Sequence, residues 1–117
     1  MAGEVEDAYG ITVETVVVGD ADHDERVAAL VAATREALVN AAKHARVPSV
    51  DCFAECDAAG CRVFVRDRGA GFDPAAVPDD RRGIAESITA RLARVGGKVT
   101  VTSAPGAGTE VAMELPA

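Results

Sequence analysis

In the alanine-rich stretch "REALVNAAKHA", residues 35–45, Glu36, Asn40 and the adjacent Lys43 and His44 follow one another at about one-turn spacing. A carboxamide in mid-helix lowers helix propensity by a few tenths of a kcal/mol against Glu or Lys, so a merely solvated face gains nothing from Asn40. A neutral oxygen beside a carboxylate one turn away does have a use. Mg²⁺ prefers oxygen donors and shares its shell between one or two protein groups and nucleotide phosphates, and Glu36 and Asn40 could serve it.

A second group lies in "VRDRGAGFDP", where Asp67 ends a strand-like run and Gly69 and Gly71 follow. A carboxylate held there could accept a hydrogen bond from an exocyclic amine while the glycines let a flat ring approach, which selects adenine over guanine. A dinucleotide fingerprint is excluded, because a proline-containing loop separates the glycines from the next helix, and no GK[ST] is present for a phosphate loop. Further on, Arg81 and Arg82 precede Gly83, which is expected to open a helix and present free N–H groups and two guanidiniums to phosphate. "SAPGAGTEV", residues 103–111, reads equally as a glycine-lined binding loop and as an ordinary hairpin turn.

These residues need elements to hold them. "ITVETVVV", residues 11–18, is β-branched and bounded by glycines, which predicts a strand. Asp22 with Glu25 has capping-box spacing, and the helix it opens is expected to run to about Ala45, with Pro48 barring continuation. Its apolar side is expected to comprise Val27, Leu30, Val31, Thr34, Leu38, Ala41, Ala42 and Ala45, with the four polar residues opposite. "VDCFAECD" and "CRVFVRD" alternate about the turn Ala58-Ala59-Gly60 and predict a hairpin. Residues 68–83 have no period and predict a loop. In "GIAESITARLARVGG" Ile84, Ile88, Leu92 and Val95 make a helical stripe that Gly96-Gly97 stops, and "KVTVTS" and "TEVAMEL" form two more strands. The order β, α, β, β, loop, α, β, β implies an α+β two-layer sandwich, a mixed and largely antiparallel sheet with helices on one face.

Composition sets the limits. The 117 residues fit one domain, 1–117, large enough to fold without metal or disulfides. Nineteen acidic against twelve basic residues give a net charge of −7, which opposes general affinity for nucleic acid or anionic membranes. Cys52, Cys56 and Cys61 lack CxxC spacing and read as buried free thiols of a cytosolic domain. No apolar run approaches the roughly 20 residues of a spanning helix, and the start has no signal-peptide pattern.

Taken together, the three segments resemble the ATP-binding catalytic domain of sensor histidine kinases, within the superfamily that includes gyrase B, heat-shock protein 90 and MutL, known as the GHKL or Bergerat fold. "REALVNAAKHA" is similar to the family's N box and "DRGAGF" to its first glycine box. "GIAESITARLARVGGKVTVTSAPGAGTEVAMELP" is similar to the closing segment of the nitrate-sensor-like subgroup. The resemblance implies that Asn40 ligates Mg²⁺, that Glu36 positions the metal or polarises the attacking group, and that Lys43 and His44 lie near the phosphates. It implies that Asp67 binds the adenine amine, that Gly69 and Gly71 shape the pocket, and that Phe72 to Arg82 form a lid. Gly83, Ile84, Gly106, Gly108 and Thr109 would line the rest. The sequence departs from the pattern in its short lid, in having Gly83 alone where relatives have GxG, and in Ser87 replacing a Met.

By the same resemblance, ATP and Mg²⁺ are the ligands, and the partners are a histidine-containing dimerisation domain and a response regulator. The chain reads as a cytoplasmic catalytic domain cut from a longer kinase whose parent can be membrane-anchored, with neither nucleic acid nor direct membrane contact. The dimerisation domain is absent, and His23, in a capping segment, is read as solvated and not as the phosphoacceptor. Two rivals share the fold: a stand-alone serine kinase of the anti-sigma type, and a non-catalytic nucleotide-binding module.

Overall fold

A computed structural model describes residues 12–19, 24–44, 49–69 and 79–116, the side chains of 44 and 79–85 excepted. Strand β1 (Thr12–Gly19) leads to helix α1 (Glu25–His44), the hairpin β2 (Ser49–Asp57) and β3 (Gly60–Asp67), helix α2 (Asp79–Ala93), and a second hairpin of β4 (Lys98–Ser103) and β5 (Thr109–Pro116). The sheet order is β1-β2-β3-β5-β4. β1 and β2 are parallel, as strands joined by a helical crossover can be, and the other pairs are antiparallel. This is the expected two-layer α+β sandwich with a mixed sheet.

The core follows from the period-2 pattern. Val50 and Cys52 on β2, Cys61, Val63 and Val65 on β3, and Val111, Met113 and Leu115 on β5 point to the helical layer and are buried. From the helices come Leu30, Ala33, Ala37, Leu38, Ala41, Ile88 and Leu92. The buried stripe of α1 is rotated from the expected one: Ala33 and Ala37 are inside, whereas Val31 is 42% exposed. Glu36 flanks the stripe on the side facing α2, where it meets Arg91, and Asn40 lies one turn on.

Helix ends correct two further expectations. The α1 cap is Asp24, whose Oδ1 accepts from Val27 N–H at 2.9 Å; Asp22 and His23 lie outside the described residues. The carboxylate directly before the first helical residue reaches the third N–H, which a residue two positions earlier cannot do. Helix α2 starts at Asp79, four residues before Gly83, so Gly83 is inside the helix and the N–H groups left over at its start belong to Asp79–Arg82. The stop at Gly96-Gly97 is as expected: Gly97 N–H reaches Leu92 C=O at 2.8 Å and Gly96 N–H reaches Ala93 C=O at 3.1 Å, with Gly96 at φ 81°. These two bonds make a Schellman motif.

At the opposite end from the polar cluster, Arg26 of α1 donates through Nε to Val95 C=O at 3.2 Å and through Nη2 to Pro116 C=O, tying α1 to the ends of α2 and β5. The cysteines also differ from expectation. Cys56 and Cys61 are register partners with Cα atoms 4.1 Å apart and are joined in a disulfide, and only Cys52 is free. The hairpin register sets the two side chains directly opposite on one face.

Candidate functional site

Chain direction brings four segments to one end of the sandwich. β2 begins just after α1 ends, and Asp51 near the start of β2 pairs with Arg66 near the end of β3. The C-terminal end of α1, with Asn40 and Lys43, therefore lies at the same end as Asp67 and Gly69. Asp67 pairs with Thr109 at the start of β5, and Thr109 with Ser103 at the end of β4. β4 thus finishes at this end, and α2, which precedes it and runs antiparallel to it, starts there.

Asp67 continues the inward alternation of Val63 and Val65, so its carboxylate faces the helical layer, 8% exposed. Gly69 N–H donates to its Oδ1 at 2.9 Å, a turn that holds the acid in place at the strand end. Gly108, at φ 76°, lies so close that a Cβ there would sit 2.2 Å from the Asp67 carbonyl oxygen and 3.0 Å from Arg68 Cα. The Ser103 hydroxyl donates to Gly108 C=O at 2.8 Å and lies 2.9 Å from Thr109 Oγ1, which fixes the loop. Gly106, also at positive φ, faces open space.

On α1, Asn40 Oδ1 is buried with no hydrogen-bond partner among the described residues. Leaving such an atom unpaired costs about 1–3 kcal/mol, which a site built to take a ligand can carry. Glu36 one turn earlier is ion-paired through Oε1 with Nη2 of Arg91 on α2. Arg91 Nε is itself buried and unpaired among the described residues. Sequence reasoning missed Arg91 and Ser103; no local pattern marks an arginine between Ile88 and Leu92 as the partner of a residue 55 positions earlier.

The expected site residues therefore divide. Asn40, Lys43, Asp67, Gly69, Gly108 and Thr109 belong to segments that reach one end of the helix-covered face, Lys43 exposed, while Glu36 lies a turn further in, paired with Arg91 of the last turn of α2. His44 closes α1 there, and Arg82, Gly83 and Ile84 belong to the first turns of α2. Gly71 and Phe72 lie outside the described residues. A separate depression of about 390 Å³, lined by Asp51, Phe53, Phe64, Arg66 and Glu110, is on the other face of the sheet, since Phe64 and Arg66 alternate with the inward Val65 and Asp67.

The donor set of Glu36 and Asn40 is all oxygen, one charged and one neutral, with the neutral atom lacking a protein partner. That fits Mg²⁺ held jointly with a nucleotide; among the described residues there is no group of three or more His, Cys, Asp or Glu for an all-protein cage.

Residues 25–117 match the family of histidine kinase-, DNA gyrase B-, and HSP90-like ATPases. No curated protein matches the chain. The Erythrobacter litoralis EL346 blue-light activated histidine kinase is similar in structure, with a TM-score of 0.77 and 23% identity over 98% of this chain and 39% of that one. The histidine kinase domain of the same protein gives a TM-score of 0.72 at 23% identity, over 98% of this chain and 60% of that one. The chain thus spans less than two-thirds of either structure, and the likeness is one of fold.

Proposed function

The chain belongs to the histidine kinase-, DNA gyrase B-, and HSP90-like ATPase family, and from that we propose that it binds Mg·ATP as the catalytic domain of a sensor histidine kinase. Joined to a dimerisation domain, it would transfer the γ-phosphoryl group to a histidine there, for relay to a response regulator. The observation that carries the reading is Asp67: a carboxylate buried at a strand end, its Oδ1 held by Gly69 N–H and its backbone pressed by Gly108.

In this mechanism Asp67 accepts a hydrogen bond from the adenine amine, and Gly69, Gly71 and Gly108 keep side chains out of the plane of the ring. Guanine would set a carbonyl against the same carboxylate, losing a charge-assisted bond of about 1.5–3 kcal/mol and adding repulsion. Thr109 and Ser103 hold the Gly108 loop against the Asp67 strand end. Asn40 would hold Mg²⁺ through its carbonyl oxygen, with Glu36 beside it to orient the ion or polarise the attacking histidine. When bound, the ion supplies neutralisation of charge on the phosphoryl oxygens. Lys43, exposed at the end of α1, would reach the phosphates, as would the backbone N–H groups left over at the start of α2.

The transfer forms a P–N bond on the acceptor imidazole as the bond from the γ-phosphorus to the β,γ-bridging oxygen breaks, and ADP leaves. The chain's share is positioning and charge stabilisation. Because the acceptor belongs to another domain, the isolated chain should turn ATP over slowly.

Two measurements test this. Calorimetric titration of Mg·ATP should show Asp67→Asn weakened about 10- to 100-fold against wild type, in line with the loss of one charge-assisted bond. Equal affinity removes Asp67 from the adenine role. Labelled phosphate should then pass to an added dimerisation domain from wild type and not from Asn40→Asp; no labelled histidine with wild type would sink the kinase assignment.

A further inference from the structure

The contact between the helices bears on how the proposed metal site is filled. Glu36 and Asn40 present one negative charge and one buried, unpaired carbonyl oxygen. Arg91 of α2 already sits on that charge, through a contact from Nη2 to Glu36 Oε1. An arginine built in as a permanent clamp uses its planar fork, two parallel bonds to one carboxylate. Here the contact runs through Nη2, and Nε–H is buried without a partner among the described residues. Arg91 is also still 41% exposed in its side chain, against 26% for Glu36, so it has a route to water. Its exposed head leaves it room to turn outward.

A divalent ion on Asn40 Oδ1 would lie within about one helix turn, roughly 5–6 Å, of the groups that hold this guanidinium. That separation is shorter than the Debye length at physiological salt, so the repulsion between the two cations is only weakly screened. One must yield.

We propose that Arg91 is the resident counter-cation of the Glu36–Asn40 pair, and that binding of Mg²⁺ with nucleotide displaces it, freeing the Glu36 carboxylate at the moment the metal arrives. The inference rests on the Mg·ATP reading above and adds a device to it. In the metal-free protein Arg91 neutralises Glu36 and bridges α1 to α2. With the metal present, the carboxylate exchanges the guanidinium for the ion, and Arg91 turns outward. Arg91 is in this sense a positioning residue, since it acts through Glu36.

The test uses the full chain and two readouts. In ¹⁵N spectra with the non-hydrolysable analogue AMPPNP alone, the Arg91 Nε–H signal, assigned by its loss in Arg91→Lys, should be protected from exchange. Adding Mg²⁺ should move it to the position of a free arginine. In Mn²⁺ titrations with AMPPNP, Arg91→Gln should bind the ion about tenfold more tightly than wild type, with Arg91→Lys between them.

An unmoved signal, or equal or weaker Mn²⁺ binding by Arg91→Gln with AMPPNP affinity intact, overturns the proposal and leaves the ATP reading standing. Failure of wild type to bind AMPPNP at all overturns both. Thermal melts establish that Arg91→Gln is folded; Arg91→Lys, which keeps the charge, reads the same competition if it is not.

Discussion

Gly108 packs against the main-chain carbonyl of Asp67 with no room for a side chain: a Cβ would fall 2.2 Å from that oxygen. The loop before β5 and the strand end that carries the acid are thereby one rigid unit, stitched by the Asp67–Thr109 register and the Ser103 hydroxyl. Asp67 and Gly108, 41 positions apart in the chain, together set a single carboxylate.

Substituting Gly108 by Ala should therefore be costly. The new methyl must push backbone away from backbone, and the residue must also hold φ near 76°. We expect a loss of about 2–4 kcal/mol in urea unfolding, together with weakened ATP binding. Gly106→Ala is the control: its φ of 78° is as unfavourable, but nothing lies within 4 Å. That change should cost about 1 kcal/mol and leave ATP binding unaltered. Similar losses in both variants would mean that φ alone matters and that the Asp67 contact does not.

Much of this site was legible because its pieces are local. Asp67 stands out as an acid ending an alternating strand before glycines, and Asn40 as a carboxamide where a solvated helix face has no use for one. The alternation in "VDCFAECD" and "CRVFVRD" marked a two-faced hairpin, and the structure buries Val63 and Val65 on one of those faces. What could not be read depends on how elements meet. The partnership of Glu36 with Arg91 is set by the packing of α1 on α2, and the disulfide by a hairpin register that places Cys56 opposite Cys61. Helix starts were misplaced for a similar reason. The capping-box spacing of Asp22 with Glu25 pointed two residues ahead of Asp24, the observed cap, and the Asp79–Arg82 run carries no apolar period to mark it as helical, so α2 was expected to open at Gly83.

The β2–β3 turn makes a prediction about pH. Asp57 Oδ1 accepts from Ala59 N–H at 2.8 Å, and its Oδ2 pairs with Arg62 at 2.7 Å. The backbone N–H first, and then the guanidinium, hold its carboxyl below the usual carboxylate range. A pKa lower in the folded than in the unfolded state means that the unfolded chain takes up the proton more readily, so this stability is full above the ordinary carboxylate pKa and is lost as pH falls through the folded value. The wild type should melt higher than Asp57→Ala near neutral pH, and the gap should narrow only in the acid range. A gap that grows on acidification would contradict the assignment.

The cysteines allow a count that checks the hairpin register. Cys56 and Cys61 are bonded across β2 and β3, whereas Cys52, four residues earlier, is buried with its thiol pKa pushed up by desolvation. A thiol raised in pKa and screened from solvent reacts slowly. Chromogenic thiol titration of the oxidised, native protein should thus give almost no fast signal. Unfolding without reductant should release one thiol, and unfolding after reduction should release three. Because the bond closes only a short loop, reducing it should lower stability by less than about 3 kcal/mol and leave the fold intact. Three thiols on unfolding without reductant would show that register alone, and no covalent bond, holds Cys56 against Cys61.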